Sequence, residues 1–166
     1  MAQDTWPVWR EDDVLPLMSR PLGILTALLD TPAQMLGETP LGNRKCVRVR
    51  GGSLIGPRIR AAVLPGGGDW ALTRADGVLM LDVRLTLQTD DGALILMTYT
   101  GQRHAPPAIA EMLARGEAVA PDAMYFRTAP AFETADPRYS WLNRVLAIGV
   151  GERLETGPRY HIHEII

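Results

Sequence analysis

Residues 78–88 read VLMLDVRLTLQ and alternate apolar and polar side chains more regularly than any other stretch of the chain. Successive side chains of a β-strand point to opposite faces, so this pattern predicts a strand with one apolar and one polar face. The apolar face carries Leu79, Leu81, Val83, Leu85 and Leu87, and the polar face carries Met80, Asp82, Arg84, Thr86 and Gln88. One side of this strand is expected to face a core.

A turn signal follows the strand directly at Asp91-Gly92. Aspartate and glycine tolerate the positive φ angles of a type I′ turn, which favours a two-residue hairpin. Counting back from such a turn places Arg84 opposite Tyr99. Tyr99 is then expected on the face that carries Asp82 and Arg84.

The rest of the chain contains short apolar or alternating segments separated by glycine and proline. Further strands are predicted at 22–29, 34–37, 44–49, 58–64, 69–74, 124–128, 140–150 and 159–165. One helix is predicted at 107–115, with proline at its start and Gly116 just past its end. Short strands with frequent turns and one short helix predict a mostly β fold, a single antiparallel β-barrel. Residues 1–20 are expected to form an N-terminal arm, with Trp6 and Trp9 as anchors, and residues 21–166 the barrel domain.

Composition excludes several classes of protein. A chain of 166 residues with 46% hydrophobic and 22% charged residues is typical of one globular domain. The formal net charge of -2 and the interspersed acids argue against nucleic acid as a partner. The chain has a single cysteine, which excludes an internal disulfide. No apolar run is long enough to cross a bilayer, and residues 1–10 lack a signal-peptide pattern, so we expect no membrane partner and a cytoplasmic location.

An ordered set of motifs runs through the chain: GGSLIGP at 51–57, VLPGGGDW at 63–70, LDVR at 81–84, YFRT at 125–128 and WLNR at 141–144. Together they resemble the DUF3237 family, also called UPF0311, over residues 22–166. The resemblance implies a small barrel similar to lipocalin-like and allene-oxide-cyclase-like barrels. It implies no particular activity, because the family largely lacks an assigned one.

The first candidate site is the polar face with Asp82, Arg84 and Tyr99. An ionised aspartate can act as a base, a tyrosine hydroxyl can donate to an enolate oxygen, and an arginine can hold an anion. Arg127 and Glu133 join this site if their strand faces the same interior. The alternative is that Asp82 and Arg84 face solvent as structural ion pairs.

Two further candidates involve aromatic side chains. A turn at the glycines before Asp69 and Trp70 would bring both to the barrel mouth, with Asp69 as acid or base and Trp70 as a stacking wall. The alternative is a purely structural corner.

Alternation within the predicted strand at 140–150 places Tyr139, Trp141 and Asn143 on one face, as a pocket wall for substrate. The alternative is that these aromatic side chains simply pack the core.

We expect no metal and no cofactor. His161 and His163 share a strand face, but two ligands are too few for a metal site, and His104, expected in a loop before the proline-rich helix, would have to be brought in as a third. The sequence contains no serine nucleophile elbow, Walker loop or dinucleotide fingerprint.

The leading hypothesis is therefore a barrel that binds a small molecule and acts as a cofactor-independent isomerase, cyclase or lyase on a carbonyl or enol metabolite. Asp82 or Asp69 would be the base, Tyr99 the oxyanion partner, and Arg84 or Arg127 the anion anchor. One alternative is a non-catalytic carrier or sensor of an apolar metabolite, and another is a structural or oligomerisation module with a filled barrel. A homo-oligomer, in particular a dimer, is expected because one short helix cannot cover the apolar outer faces.

Overall fold

The computed structural model describes residues 9–115, 117 and 119–166. Most of them form a closed antiparallel β-barrel. The strands are β1 (Ser19–Leu29), β2 (Gln34–Thr39), β3 (Gly42–Gly56), β4 (Ile59–Val63), β5 (Gly67–Asp69), β6 (Leu72–Thr73), β7 (Leu79–Thr89), β8 (Leu94–His104), β9 (Tyr125–Glu133), β10 (Ala147–Leu154) and β11 (Gly157–Ile165). The described residues also form one α-helix, α1 (Pro107–Ala114), and 3-10 helices at Glu11–Asp13, Pro121–Ala123 and Pro137–Arg144.

Eight positions around the wall close the barrel. β1, β11, β10, β9, β8 and β7 are neighbours in that order, and the three short strands β4, β5 and β6 share the next position, between β7 and β3. β3 then pairs with β1, which closes the ring and leaves no free edge there. The predicted single antiparallel barrel with a short helix is confirmed.

The β7–β8 hairpin differs from the prediction by one residue. Thr89 pairs through its backbone with Ala93, and Gly92 adopts a φ of 91°. The loop therefore has three residues, a turn closed by a glycine in the left-handed region, rather than two. The shift places Val83, not Arg84, opposite Tyr99. The apolar face of β7 lies inside the barrel as expected, and Tyr99 joins that face.

Three segments depart from their predicted structure. The strand predicted at 69–74 is interrupted, because β5 ends at Asp69 and β6 begins only at Leu72. The glycines at 51 and 52 do not end a strand, because β3 runs through them to Gly56. The predicted strand at 140–150 is wrong in its first half, where the chain forms the 3-10 helix Pro137–Arg144 instead. Asp136 caps that helix by accepting a hydrogen bond from the backbone N–H of Arg138, and a proline follows the cap.

Helix α1 ends at Ala114, one residue before the predicted end, and Gly116 lies outside the described residues. The stretch before β1 is exposed from residue 9 to residue 18, and Trp9 does not anchor it. Trp6 lies outside the described residues. In the part of the chain that the structure describes, no helix has the length and apolarity needed to span a membrane. The dimer stays a prediction.

The two ends of the barrel are different. We call the half next to the 89–93 turn the closed half, because apolar side chains fill it, and its fully buried members are Leu22, Leu25, Leu54, Leu85, Leu87, Ile95, Met97 and Ile162. The other half lies beneath α1, at the end where β8 and β10 stop and β11 begins. We call it the open half, because it contains a cavity.

Candidate functional site

The open half contains a cavity of about 480 Å³ that is open to solvent on one side, and this volume is within the usual range for a small-molecule site. Apolar side chains from β1, β3, β7 and β9 form much of its wall, and Ala110, Leu113 and Ala114 of α1 cover part of the opening. Eight polar side chains also line it: Lys45, Asp69, Thr73, Tyr99, Arg103, His104, Arg153 and Tyr160. A barrel filled entirely by its own side chains, as a structural module would need, is not present.

Asp69 is the acidic side chain of this cavity. It ends β5, and one carboxylate oxygen accepts a hydrogen bond from the backbone N–H of Asp82 at 3.1 Å. Burial raises the pKa of Asp69 to about 6, although this hydrogen bond and the charge of Lys45 oppose the rise. A carboxyl with that pKa can both accept and donate a proton near neutral pH.

Tyr99 and Tyr160 form a buried aromatic pair beside it. Their rings meet edge to face with centroids 5.4 Å apart, and the ring of Phe126 packs against Tyr160 at 5.2 Å. Gly151 makes room for this packing, because a Cβ there would lie 2.6 Å from the ring of Phe126. Burial raises the pKa of both tyrosines, so each hydroxyl stays protonated near neutral pH and can donate a hydrogen bond.

Three basic side chains, Lys45, Arg103 and Arg153, face the same cavity. Burial lowers the pKa of Lys45, and repulsion from Arg103 and Arg153 adds to the effect. The pKa of Arg103 is lowered for the same two reasons, burial first and then repulsion from Arg153. With one carboxyl and three cations, the cavity carries a net positive charge when all of these groups are ionised.

The described residues contain no cluster of three or more histidine, cysteine, aspartate and glutamate side chains that could hold a metal ion. His161 instead contacts Glu152 at 2.9 Å on the barrel wall. The chemistry that the cavity can supply from its own residues is proton transfer by Asp69, hydrogen bonding by the tyrosines and attraction of anions.

Of the ten sequence-predicted site residues, the structure places Asp69 and Tyr99 in the cavity. Asp82 and Arg84 lie on the outer face of β7, where they form an exposed ion pair with a 3.0 Å separation. Trp70 is also outside, 41% exposed, with the Arg84 guanidinium 5.5 Å from its ring centre. It follows the last residue of β5 and does not line the cavity beneath α1, although it shares a second, outer cavity with Asp69.

Arg127 and Glu133 lie on the outer face of β9. The Arg127 guanidinium sits 5.2 Å from the ring centre of Tyr125 and donates to the backbone oxygen of Phe126 at 3.0 Å. Glu133 is exposed. Neither side chain reaches the interior, because the alternate residues Phe126 and Thr128 occupy the inward positions.

Tyr139, Trp141 and Asn143 lie at the far end of the barrel from the cavity, on the 3-10 helix. The Tyr139 hydroxyl contacts the Asp91 carboxylate at 3.1 Å, and the Trp141 ring lies 3.8 Å beneath the Arg58 guanidinium. Asn143 makes two 2.9 Å hydrogen bonds with the backbone of residue 134. Because the segment is helical, the expected common strand face does not exist, and the three side chains hold this end together.

Sequence reasoning missed Lys45, Arg103, Arg153 and Tyr160. Alternation gives a usable signal for one of them, since Tyr99, Gly101 and Arg103 occupy every second position of β8. The corrected hairpin register, which puts Tyr99 inside, would have put Arg103 inside too. Alternation puts Arg153 on the same face as Gly149 and Gly151 of β10, and Tyr160 on the same face as Ile162 of β11, but the sequence does not show which of these faces lies inside.

Comparison with known proteins connects this barrel to a family. The family model described as "Protein of unknown function (DUF3237)" matches residues 20–165. The UPF0311 protein of Rhodopseudomonas palustris is 35% identical over 130 residues, which cover 78% of this chain and 85% of that protein. A crystal structure of a conserved protein from the same organism superposes with a TM-score of 0.88, at 31% identity, and covers 92% of this chain and 100% of that one.

One relative carries an activity in its name. A hydroalkoxylation enzyme of Penicillium herquei is 28% identical over 123 residues, which cover 74% of this chain and 67% of that protein. A crystal structure of an enzyme from that fungus has a TM-score of 0.69, at 25% identity, and covers 92% of this chain and 97% of that one. The match of the family model over nearly the whole barrel, with the 35% identity of the bacterial relative, shows that the chain belongs to the DUF3237 family, also called UPF0311.

Proposed function

We propose that this protein is a cofactor-independent acid–base enzyme that adds a hydroxyl group across a carbon–carbon double bond within one small molecule. The observation that carries the proposal is the placement of Asp69, with a pKa of about 6, in a ligand-sized cavity beside two protonated tyrosines. Among the hypotheses drawn from the sequence, this corresponds to the cyclase.

The reaction is an isomerisation, so its atoms balance without any second substrate. For a hydroxyl conjugate addition, the substrate O–H bond breaks, a C–O bond forms, and the carbon–carbon π bond opens to an enolate. Ionised Asp69 takes the hydroxyl proton and then returns it to the carbon next to the carbonyl. Tyr99 and Tyr160 donate hydrogen bonds to the enolate oxygen, which carries the developing charge. No electron is gained or lost overall.

Similarity to the fungal hydroalkoxylation enzyme supports this reaction class, because hydroalkoxylation is the addition of an O–H across a carbon–carbon double bond. The apolar residues Leu81, Val83 and Phe126 line the same cavity as Asp69 and are suited to the hydrocarbon part of such a substrate. A carboxyl in an apolar site is the type of group that enzymes use near neutral pH.

A direct test uses 2′-hydroxychalcone, whose phenol adds to its own conjugated double bond to give flavanone. The change in ultraviolet absorbance reports the rate, and the uncatalysed rate in buffer is subtracted. We expect wild-type protein to accelerate the cyclisation and Asp69→Asn to lose about 100-fold or more of that acceleration, which is typical of general acid–base catalysis. Asp82→Asn is the matched control, because it alters a carboxyl on the outer face of the neighbouring strand.

The outcomes separate the two main hypotheses. Acceleration that depends on Asp69 and not on Asp82 supports the enzyme. Competition with cinnamate shows whether 2′-hydroxychalcone binds in the cavity. If it binds and still cyclises at the buffer rate, the enzyme proposal fails. The carrier interpretation then takes its place.

A further inference from the structure

We propose that the natural ligand is an acid, with a carboxylate held by Lys45, Arg103 and Arg153 at the open end of the cavity and an apolar body beneath it. This inference rests on the proposed function only in assigning the ligand as a substrate. The cationic cluster itself stands on geometry, and we call these three side chains the basic trio.

The basic trio has no anionic partner of its own. Ten salt bridges at N–O separations of up to 4.0 Å occur among the described residues, and none includes Lys45, Arg103 or Arg153. Their side chains also donate no hydrogen bond to another described residue. By contrast, most arginines elsewhere on the barrel pair with carboxylates, as Arg20 and Arg58 both do with Glu164. Lys45 and Arg103 are only partly exposed, whereas Arg153 is exposed, and partly desolvated cations are unfavourable unless something neutralises them.

The three side chains come from three separate strands that end near each other. Lys45 lies near the start of β3, Arg103 near the end of β8 and Arg153 near the end of β10. The three charges are close enough to interact, because repulsion from Arg103 and Arg153 helps to lower the pKa of Lys45. Two guanidinium groups and one ammonium group around a shared space are suited to a carboxylate, whose two oxygens accept several charged hydrogen bonds.

Asp69 alone does not neutralise the basic trio. Although it attracts Lys45 and Arg103, one of its oxygens is held by the backbone of β7, and a single carboxyl leaves two of the three cations uncompensated. A second anion must come from the ligand. The apolar residues below the trio, such as Leu81, Val83 and Phe126, indicate that the remainder of that ligand is hydrophobic.

The inference can be tested by isothermal titration calorimetry with cinnamate and cinnamamide, which have nearly the same shape and differ in charge. We expect cinnamate to bind wild-type protein at least about tenfold more tightly, because charged hydrogen bonds are the stronger ones. In Arg103→Met and Arg153→Met, this preference should fall several-fold. Arg84→Met, which removes an outer-face arginine, should leave it unchanged. Equal binding of the two ligands to wild-type protein would overturn the inference.

Thermal unfolding without ligand provides a second readout. Because the trio is repulsive and unpaired, Lys45→Met and Arg103→Met should raise the melting temperature, and cinnamate should stabilise them less than wild type. A lower melting temperature for both variants would mean that the cations have protein partners, against the inference. Tight binding of cinnamate with no turnover of 2′-hydroxychalcone would contradict the enzyme proposal and support the acid-binding site. Turnover of 2′-hydroxychalcone without a preference for cinnamate over cinnamamide would support the enzyme proposal and contradict the acid-binding site.

Discussion

The closed and open halves of the barrel are made from the same strands, yet one is filled and the other is not. β7 contributes Leu85 and Leu87 to the closed half and Leu79 and Leu81 to the open half, in one unbroken alternation. The difference comes from what faces these leucines across the interior. In the closed half, the side chains opposite these leucines are apolar. In the open half, they include charged side chains that do not pack against each other, and a cavity remains between them. Alternation therefore decides which face is interior, and the opposing strands decide whether that interior is core or site.

Truncating one leucine in each half gives the largest expected effect. Leu87→Ala should cost about 2–5 kcal/mol of unfolding free energy, because Leu87 is fully buried and its loss leaves a new void. Leu79→Ala should cost less, about 1–2 kcal/mol, because Leu79 already borders a cavity and gives up less burial. Urea unfolding of the two variants measures both values. Equal losses would mean that the open half is packed as tightly as the closed half.

The pH dependence of stability tests the open half alone. The pKa of Asp69 is about 6 in the folded protein and near 3.8 when unfolded, so the folded state binds more protons between these values. Stability should therefore fall as the pH rises from about 4 to about 6.

Asp69→Asn removes this dependence. Relative to wild type, the variant should gain about 1–3 kcal/mol of unfolding free energy between pH 4 and pH 7, from the shift in pKa. Asp82→Asn serves as the control and should not show the gain. Parallel pH profiles for Asp69→Asn and wild type would indicate that Asp69 is not buried in the folded protein.

The far end of the closed half depends on hydrogen bonds rather than on charge. Asn143 both donates to and accepts from the backbone of residue 134, which ties the 3-10 helix to the end of β9. Asn143→Ala should cost about 1–3 kcal/mol because it leaves these backbone groups without partners. Ligand affinity should stay the same, since this end lies away from the cavity. A large loss of cinnamate binding in a folded variant would place Asn143 in the site after all.

The outer face should give the smallest effect. Arg84→Met breaks the ion pair with Asp82, but both side chains are about half exposed, and such pairs are worth well under about 1 kcal/mol. Chalcone cyclisation and cinnamate binding should remain at the wild-type level. A marked loss of either would return Arg84 to the site that the sequence alone suggested.

Much of the fold, and two residues of the site, could be predicted from the sequence. Alternation in residues 78–88 correctly predicted the strand and its inward face, and the spacing of turns correctly predicted the barrel. Asp69 and Tyr99 were both proposed as site residues, and both face the cavity.

The site could not be completed from the sequence, because its composition depends on register. One extra residue in the 89–93 turn moves Tyr99 from the face of Arg84 to that of Val83, and Arg103 moves with it. Similarly, Asp136 and the proline after it start a 3-10 helix in the segment that contains Tyr139 and Asn143. The two-residue alternation of a strand therefore does not apply to that segment. Local signals did not show which end of the barrel would stay open, since that depends on strands far apart in sequence.

Carbon-13 NMR titration of the aspartate carboxyl groups shows whether Asp69 is a buried acid–base group in the open half. Asp69→Asn identifies the resonance by its disappearance. We expect a titration midpoint of about 6 for Asp69 in wild-type protein, because burial raises its pKa. A midpoint near 3.8, the ordinary value for an aspartate, would contradict it.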